Sequence, residues 1–381
     1  MTTRVVVLGA GAAGLSGANR LALHAASGVD LEVVLVERAG DHLFAPGLVG
    51  VLLGDSEPAA VRRPVAELVR PGVRLVAGEV TGVDPDARLV RGSFGELAYD
   101  ELVVALGAET GWPSGPPACG DLAPWTLAGA LAGREALRGL RAGARVVVGP
   151  ATPAYRCPPA VFDLAVRIRR ATGAAVEVVH PWPRPLAPFG EAPAAAFEAM
   201  LARAGVGFVG GFALEEVGPG ELRARSGASV AYDVALVVPP HRGPAVLARS
   251  GLAGPEGWPA VRFPRLDHPA HPNVAFVGDL AAPALQAGMA GTLALLQAAF
   301  VADRIAAAIS GVAPPERPRL EAICFVDEGD TGSFLHCDFE GPASRTGPAA
   351  CVLMPRLPYF RSAKQLFATE WFTTTLSGGV G

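Results

Sequence analysis

Lysine is nearly missing from this sequence. Of 32 basic residues only Lys364 is a lysine. A lysine nucleophile or Schiff base is therefore excluded everywhere except at that one position. Charge is also sparse, at 18% of residues, against about 25% in ordinary soluble domains. The net charge of −4 gives no strongly basic face, which excludes a typical nucleic-acid binder. The five cysteines include no CxxC pair and no metal-type Cys/His spacing. They make neither a disulfide scaffold nor a metal site. The N-terminus, MTTRVVVLGAG, shows no leader-peptide pattern, so the expected location is cytoplasmic. The charge-free run Leu280–Ala302 is long enough to span a bilayer, but Pro283, Gln286, Gly288, Gly291 and Gln297 favour a buried helix.

What is present is a duplication, in a chain of 381 residues that exceeds one ordinary core. RVVVLGAGAAG (4–14) resembles RVVVGPATPAY (145–155), and LEVVLVE (31–37) resembles VEVVHPW (176–182). GVRLVAGEV (72–80) pairs with GVGFVGGFA (205–213), and AYDELVVALG (98–107) with AYDVALVVPP (231–240). Each copy reads strand, turn, helix, strand, the unit of a parallel dinucleotide-binding sheet. Hairpin-like segments follow near 87–99 and 221–232.

The first copy carries a nucleotide signature. Gly9, Gly11 and Gly14 form GxGxxG between a strand and a helix that begins at Ala12–Ala13. Gly9 permits the turn, Gly11 admits the pyrophosphate, and Gly14 lets the helix pack close. Glu37 ends the next strand and is placed to bind ribose hydroxyls. In the second copy Gly9, Gly11 and Gly14 become Pro150, Thr152 and Tyr155, and Glu37 aligns with Trp182. That half is not expected to bind NAD(P)H well. Late in the chain, NVAFVGD (273–279) resembles the segment that closes the FAD site in flavoproteins with two dinucleotide domains. FAD is thus the expected cofactor. Its expected ligands are Gly9, Gly11, Ala12, Ala13, Gly14, Glu37, Arg38, Val80, Ala105, Gly107, Gly278, Asp279 and Gly288.

Cys157 precedes Pro158 and Pro159 at an expected helix start, where the helix dipole favours a thiolate. Asp163 on that helix is either an acid–base group or a solvated residue paired with Arg167. Cys119 lies in a Pro/Gly-rich loop, and Cys324 in EAICFVDEGDTG. Cys337 and Cys351 flank a hydrophilic turn that would bring them face to face across a hairpin.

The chain resembles the sulfide:quinone oxidoreductases and the flavoprotein subunits of flavocytochrome c sulfide dehydrogenase. GAGAAG, DHLFAPGLVGVLLGD, YDELVVALG, YRCPPAVFD, PPHRGPAVLARSGL, NVAFVGD, ICFVDEGD and YFRSAKQLFATEWF carry the likeness. It implies an α/β fold of two Rossmann-like domains. The first is FAD-binding and discontinuous (1–110 and 245–318), and the second is degenerate (111–244). A C-terminal α+β segment (319–381) follows. The resemblance further implies a redox pair of Cys157 and Cys324, with sulfide or another small sulfur species as substrate. It also implies a quinone near Phe325, Phe334 or Tyr359. Cys119 matches in order a third cysteine that assists sulfur release or flavin attachment. Asp163 stands where the family has a glutamate acid–base, and Gln286 where it has a lysine. Phe360, Ala363, Phe367 and Trp371 fall on one helical face, with Leu366 and Phe372 beside it. That face is either a peripheral membrane anchor or a docked helix or homo-oligomer contact. Two other functions stand beside the leading one: a thiol or persulfide oxidoreductase with a soluble electron carrier, and a catalytically lapsed flavin-binding sensor.

Overall fold

The computed structural model describes residues 2–112, 117 and 122–379. Continuous apolar runs make its central strands. The first unit has β1 (Thr3–Leu8), β2 (Leu31–Glu37), β3 (Val73–Ala77) and β4 (Glu101–Val104). The second has β5 (Arg145–Pro150), β6 (Ala175–Val179), β7 (Gly207–Val209) and β8 (Val234–Val238). The chain then returns to the first unit through β9 (Val274–Phe276). The parallel sheets run β9–β4–β1–β2–β3 and β7–β6–β5–β8. Val5 to Leu8 are fully buried, as a strand covered by helices on both faces must be. Each unit carries a three-stranded antiparallel meander, one strand more than the expected hairpins. The class is therefore α/β with two Rossmann-type units.

Four helices matter to the site: α1 (Ala12–Ala26), α2 (Pro159–Thr172), α3 (Gly291–Ser310) and α4 (Pro358–Glu370). The charge-free run is not one helix. It begins as a turn at Gly278–Leu280 and a short helix at Ala282–Leu285, which Gln286 ends with φ 52°. Only then does α3 start, so the helix N-terminus lies at Gly291, not directly after the NVAFVGD strand. By length and composition α3 could cross a membrane, but 72% of its most apolar window is buried inside the protein, much of it against α1. A third sheet, β10 (Glu321–Asp327), β11 (Gly332–Asp338) and β12 (Ala350–Leu357), is antiparallel in that order and lies under α4.

Strand register corrects one alignment. Val7 pairs with Leu35 in the first unit, and its counterpart Val148 pairs with Val178 in the second. Two positions on, Glu37 therefore corresponds to His180, not Trp182. Similarity along the sequence slid by two residues in a Val-rich strand, where several registers look alike. His180 Nε2 meets the Tyr155 hydroxyl at 2.8 Å, and the Trp182 ring lies 4.4 Å from the His180 ring. An aromatic cluster thus stands at the end of β6, at the position that corresponds to Glu37.

Candidate active site

The GxGxxG turn has the steric logic that a dinucleotide needs. Gly9 has φ +92°, and a Cβ there would lie 2.7 Å from the Ala105 carbonyl oxygen. A Cβ on Gly14 would lie 1.7 Å from the Gly9 oxygen, so only glycine lets α1 start this close to β1. A Cβ on Gly11 meets nothing within 4 Å, because Gly11 faces open space. The first amides of α1 lack intrahelical partners, and their dipole suits a pyrophosphate. The Glu37 carboxylate accepts from Ala10 N at 2.5 Å and Ala39 N at 2.6 Å. It is fixed at the strand end, where a ribose hydroxyl would reach it.

These residues wall a cavity of about 1390 Å³, larger than the roughly 300–1,000 Å³ of ordinary ligand pockets. Gly9, Gly11, Ala12, Ala13, Glu37, Arg38, Val80, Ala105, Gly107, Gly278, Asp279 and Gly288 all line it. Gly14 sits behind the turn, packed on Gly9. Arg38 reaches out to Glu79 at 3.4 Å. The residues present fit a dinucleotide cofactor along this wall.

Cys157 and Cys324 line the same cavity. Cys157 Sγ lies 3.7 Å from Cys324 Sγ, and both thiols are free. Cys157 precedes α2 and has φ 50°, a conformation costly for a residue with a side chain. Its N–H donates to Met289 O at 2.8 Å, and the neighbouring Arg156 carbonyl accepts from Trp125 Nε1 at 2.9 Å. These bonds hold the turn that aims the thiol. A hydrogen bond from Cys324 holds the Cys157 thiol pKa below its ordinary value, and Lys364 assists, against burial that opposes it. The same hydrogen bond, with burial and the Cys157 charge, pushes Cys324 well above its ordinary value. Cys157 is therefore the more acidic thiol of the pair.

Of the two alternatives for Asp163, the solvated one does not hold, because Asp163 is buried, although it does stand near Arg167. Asp163 Oδ2 accepts from Asp327 N at 2.9 Å and from Lys364 Nζ at 2.5 Å. Arg167 Nη1 stands 3.8 Å from Oδ1, and Oδ1 has no hydrogen-bond partner. The single lysine of the chain thus meets the active-site carboxylate. Sequence reading noted its rarity but not its role.

Arg156 was also missed. Its Nε donates to Asp279 Oδ2 at 2.6 Å, and its backbone N–H to His241 Nε2 at 3.3 Å. His241 Nδ1 donates to Pro239 O at 3.1 Å, which leaves Nε2 as the acceptor. Burial depresses the His241 pKa to about 4, so the ring is neutral in this role. Of the expected quinone aromatics, Phe325 lines the cavity. Phe334 stacks on Phe360 at 5.8 Å, and Tyr359 is 69% exposed. The apolar face of α4 turns inward: Phe360 and Trp371 are buried, and Phe367 packs against Phe44 and Phe325. Cys337 and Cys351 form a disulfide. Cys119 lies outside the described residues.

Two Rossmann-type units and a cysteine pair on the wall of a dinucleotide cavity define a flavoprotein oxidoreductase. The chain belongs to the pyridine nucleotide-disulphide oxidoreductase family, whose model matches residues 3–239. It is 27% identical over 298 residues to the mitochondrial sulfide:quinone oxidoreductase of Mus musculus, covering 72% of this chain. It spans 65% of that relative, just under two thirds of its length. It is 23% identical to the sulfide-quinone reductase of Aquifex aeolicus, covering 89% of this chain and 84% of that one. The crystal structure of the Aquifex aeolicus sulfide:quinone oxidoreductase superposes with a TM-score of 0.85 at 22% identity, covering 99% of this chain and 92% of the other.

Proposed function

We propose that the chain oxidises sulfide through Cys157 and Cys324 and delivers the electrons, by way of FAD, to a quinone. The observation that carries this is the 3.7 Å approach of the two sulfurs on the wall of the cavity that the glycine turn also lines. The glycine turn, Glu37 and Asp279 would hold FAD, with Arg156 keeping Asp279 in place. Bound there, FAD supplies a two-electron acceptor.

The pKa asymmetry sets the direction of the sulfur step. Hydrosulfide attacks Cys324 Sγ of the oxidised pair, the S–S bond breaks, and Cys157 leaves as the thiolate. The thiol with the lower pKa is the better leaving group. The sulfur stays on Cys324 as a persulfide. Asp163 Oδ1, buried and without a hydrogen bond, is the atom placed to take the proton from hydrosulfide. Lys364 keeps Asp163 oriented and adds positive charge beside the Cys157 thiolate.

The quinone reaches the cavity past Phe325 and Phe367. Outside that wall, Val352, Met354, Leu357, Tyr359 and Leu366 are exposed on β12 and α4. This apolar face suits peripheral contact with a membrane surface, the source of a quinone. The anchor is thus the outer side of the segment, not the Phe360–Trp371 stripe.

The test is an anaerobic titration of the FAD-loaded protein with sodium sulfide, followed by a soluble quinone. The flavin absorbance should bleach with sulfide and return with quinone, and Cys157→Ser should not bleach. A flavin that sulfide leaves unchanged overturns the reading. Electron return only to a soluble protein carrier would favour the thiol or persulfide alternative.

A further inference from the structure

The Cys337–Cys351 disulfide has no part in the reaction proposed above, yet it shares a sheet face with that reaction. The third sheet runs β10–β11–β12. Directly opposed residues of an antiparallel pair point to the same face. Cys324 opposes Leu335, Ala322 opposes Cys337, and Cys337 opposes Cys351. Cys324, Cys337 and Cys351 therefore lie on one face, one on each strand. Cys324, Leu335 and Cys337 all border the cavity. Cys337 is 2% exposed, whereas Cys351 on the edge strand is partly exposed. Counted outward from the dinucleotide wall, the sulfurs run Cys157, Cys324, Cys337, Cys351.

This order places Cys324 and Cys351 on opposite sides of Cys337. A nucleophile on Cys324 reaches Cys337 Sγ diagonally, from the β10 side and so away from Cys351, which is left free to depart. Cys324 and Cys337 are diagonal neighbours, and such positions lie about 7–8 Å apart. That exceeds the roughly 4.4–6.8 Å that a disulfide spans. One additional sulfur atom on Cys324 extends its reach by about 2 Å, one S–S bond.

We propose that the Cys337–Cys351 disulfide is an exit port for sulfane sulfur, loaded from Cys324 and emptied by a small thiolate at the sheet edge. The proposal takes its sulfur source from the reading above. The terminal persulfide sulfur on Cys324 attacks Cys337 Sγ, the Cys337–Cys351 bond breaks, and Cys351 leaves as a thiolate. That thiolate attacks the bridging sulfur, and Cys324 leaves as a thiolate. The net change inserts one sulfur into the outer disulfide as a trisulfide, with no electron gained or lost. A small thiolate then attacks the central sulfur and displaces Cys351. Cys351 re-forms its bond to Cys337 and releases the sulfur as an organic persulfide. The port clears Cys324 for the next turnover.

The experiment uses the full-length, FAD-loaded protein with Cys119→Ser and Cys157→Ser. Cysteine trisulfide is added anaerobically until Cys324 carries a persulfide, and the sample is alkylated and mapped as non-reduced peptides by mass spectrometry. The linked peptide containing Cys337 and Cys351 should gain one sulfur. Adding Cys324→Ser should remove most of that gain. A linked peptide without added sulfur beside a persulfidated Cys324 overturns the proposal. So does an equal gain with and without Cys324. Mapping the native protein during sulfide turnover is a second measurement that needs no substitution. Because the donor supplies sulfur without the flavin, a failed sulfide titration leaves the port result readable.

Discussion

The Trp371 indole N–H donates to His42 Nε2 at 3.0 Å, and His42 Nδ1 donates to the Ala10 carbonyl at 2.9 Å. One buried histidine therefore joins the end of α4 to the GxGxxG turn. Asn19 on α1 reinforces the link by donating to Leu376 O at 2.8 Å. The C-terminal segment is part of the wall of the dinucleotide site, not a free tail.

Trp371→Phe should test that link directly. It keeps a buried ring but leaves His42 Nε2 without its donor, a loss of about 1–3 kcal/mol for an unsatisfied buried acceptor. The expected outcome is a lower thermal midpoint together with faster loss of FAD on dilution. A lowered midpoint with unchanged FAD retention would mean that the tail does not shape the turn.

Gly11→Ala and Gly14→Ala should separate binding from folding. The Gly14 methyl would strike the Gly9 carbonyl at 1.7 Å, and overpacking of this kind costs about 1–3 kcal/mol or more. The Gly11 methyl meets no protein atom and enters the cavity. Gly14→Ala should lower soluble yield and the melting temperature. Gly11→Ala should melt like the parent apoprotein but bind FAD at least about tenfold more weakly, about 1.4 kcal/mol. Equal FAD affinity in Gly11→Ala would move the pyrophosphate elsewhere.

The parts of this site that sequence showed are local. GxGxxG, Glu37 and Cys157 before Pro-Pro each rest on a few neighbouring residues, so backbone sterics alone made them readable. The Lys364–Asp163 contact joins residues 201 positions apart. Lys364 was conspicuous only for being the single lysine. Arg156 stood inside a quoted motif, but its partner Asp279 comes from β9's loop, 123 residues later. The Glu37 counterpart reads as Trp182 in sequence because runs of valine align in several registers, whereas hydrogen-bonded strands have one and place His180 there. The inward turn of Phe360 and Trp371 was undecidable from helical periodicity, which identifies an apolar face but not what covers it.

Lys364→Met should raise the pKa of Cys157. The Lys364 charge lowers that pKa, so removing it must shift thiolate formation to higher pH. Rates of iodoacetamide labelling at Cys157, read by peptide mapping across pH, should fall at a given pH and their titration should move to higher pH. Lys364→Arg should restore most of the rate. Cys324, whose pKa is raised, should label more slowly than Cys157 at every pH below that of its own titration. Faster labelling at Cys324 would reverse the assigned leaving group.

Mild acid should destabilise the fold through its buried histidines. Burial lowers the pKa of His42 below 6.5, that of His180 to about 3 and that of His241 to about 4. Above pH 6.5 these rings are neutral in both the folded and the unfolded chain, and they add no pH dependence. Below pH 6.5 the unfolded chain takes up protons that the folded chain refuses, so stability falls as pH falls. The fall continues to about pH 4 for His241 and about pH 3 for His180. Each of these two groups contributes up to about 1.4 kcal/mol per pH unit. Urea midpoints measured at pH 8.0, 7.5 and 5.5 should agree at the first two and drop clearly at the third. His180→Phe keeps a ring in the Tyr155–Trp182 cluster without a titrating nitrogen, and it should flatten that drop. A midpoint unchanged at pH 5.5 would mean that the rings are hydrated and ionise freely, which would also leave Arg156 without its neutral acceptor on His241.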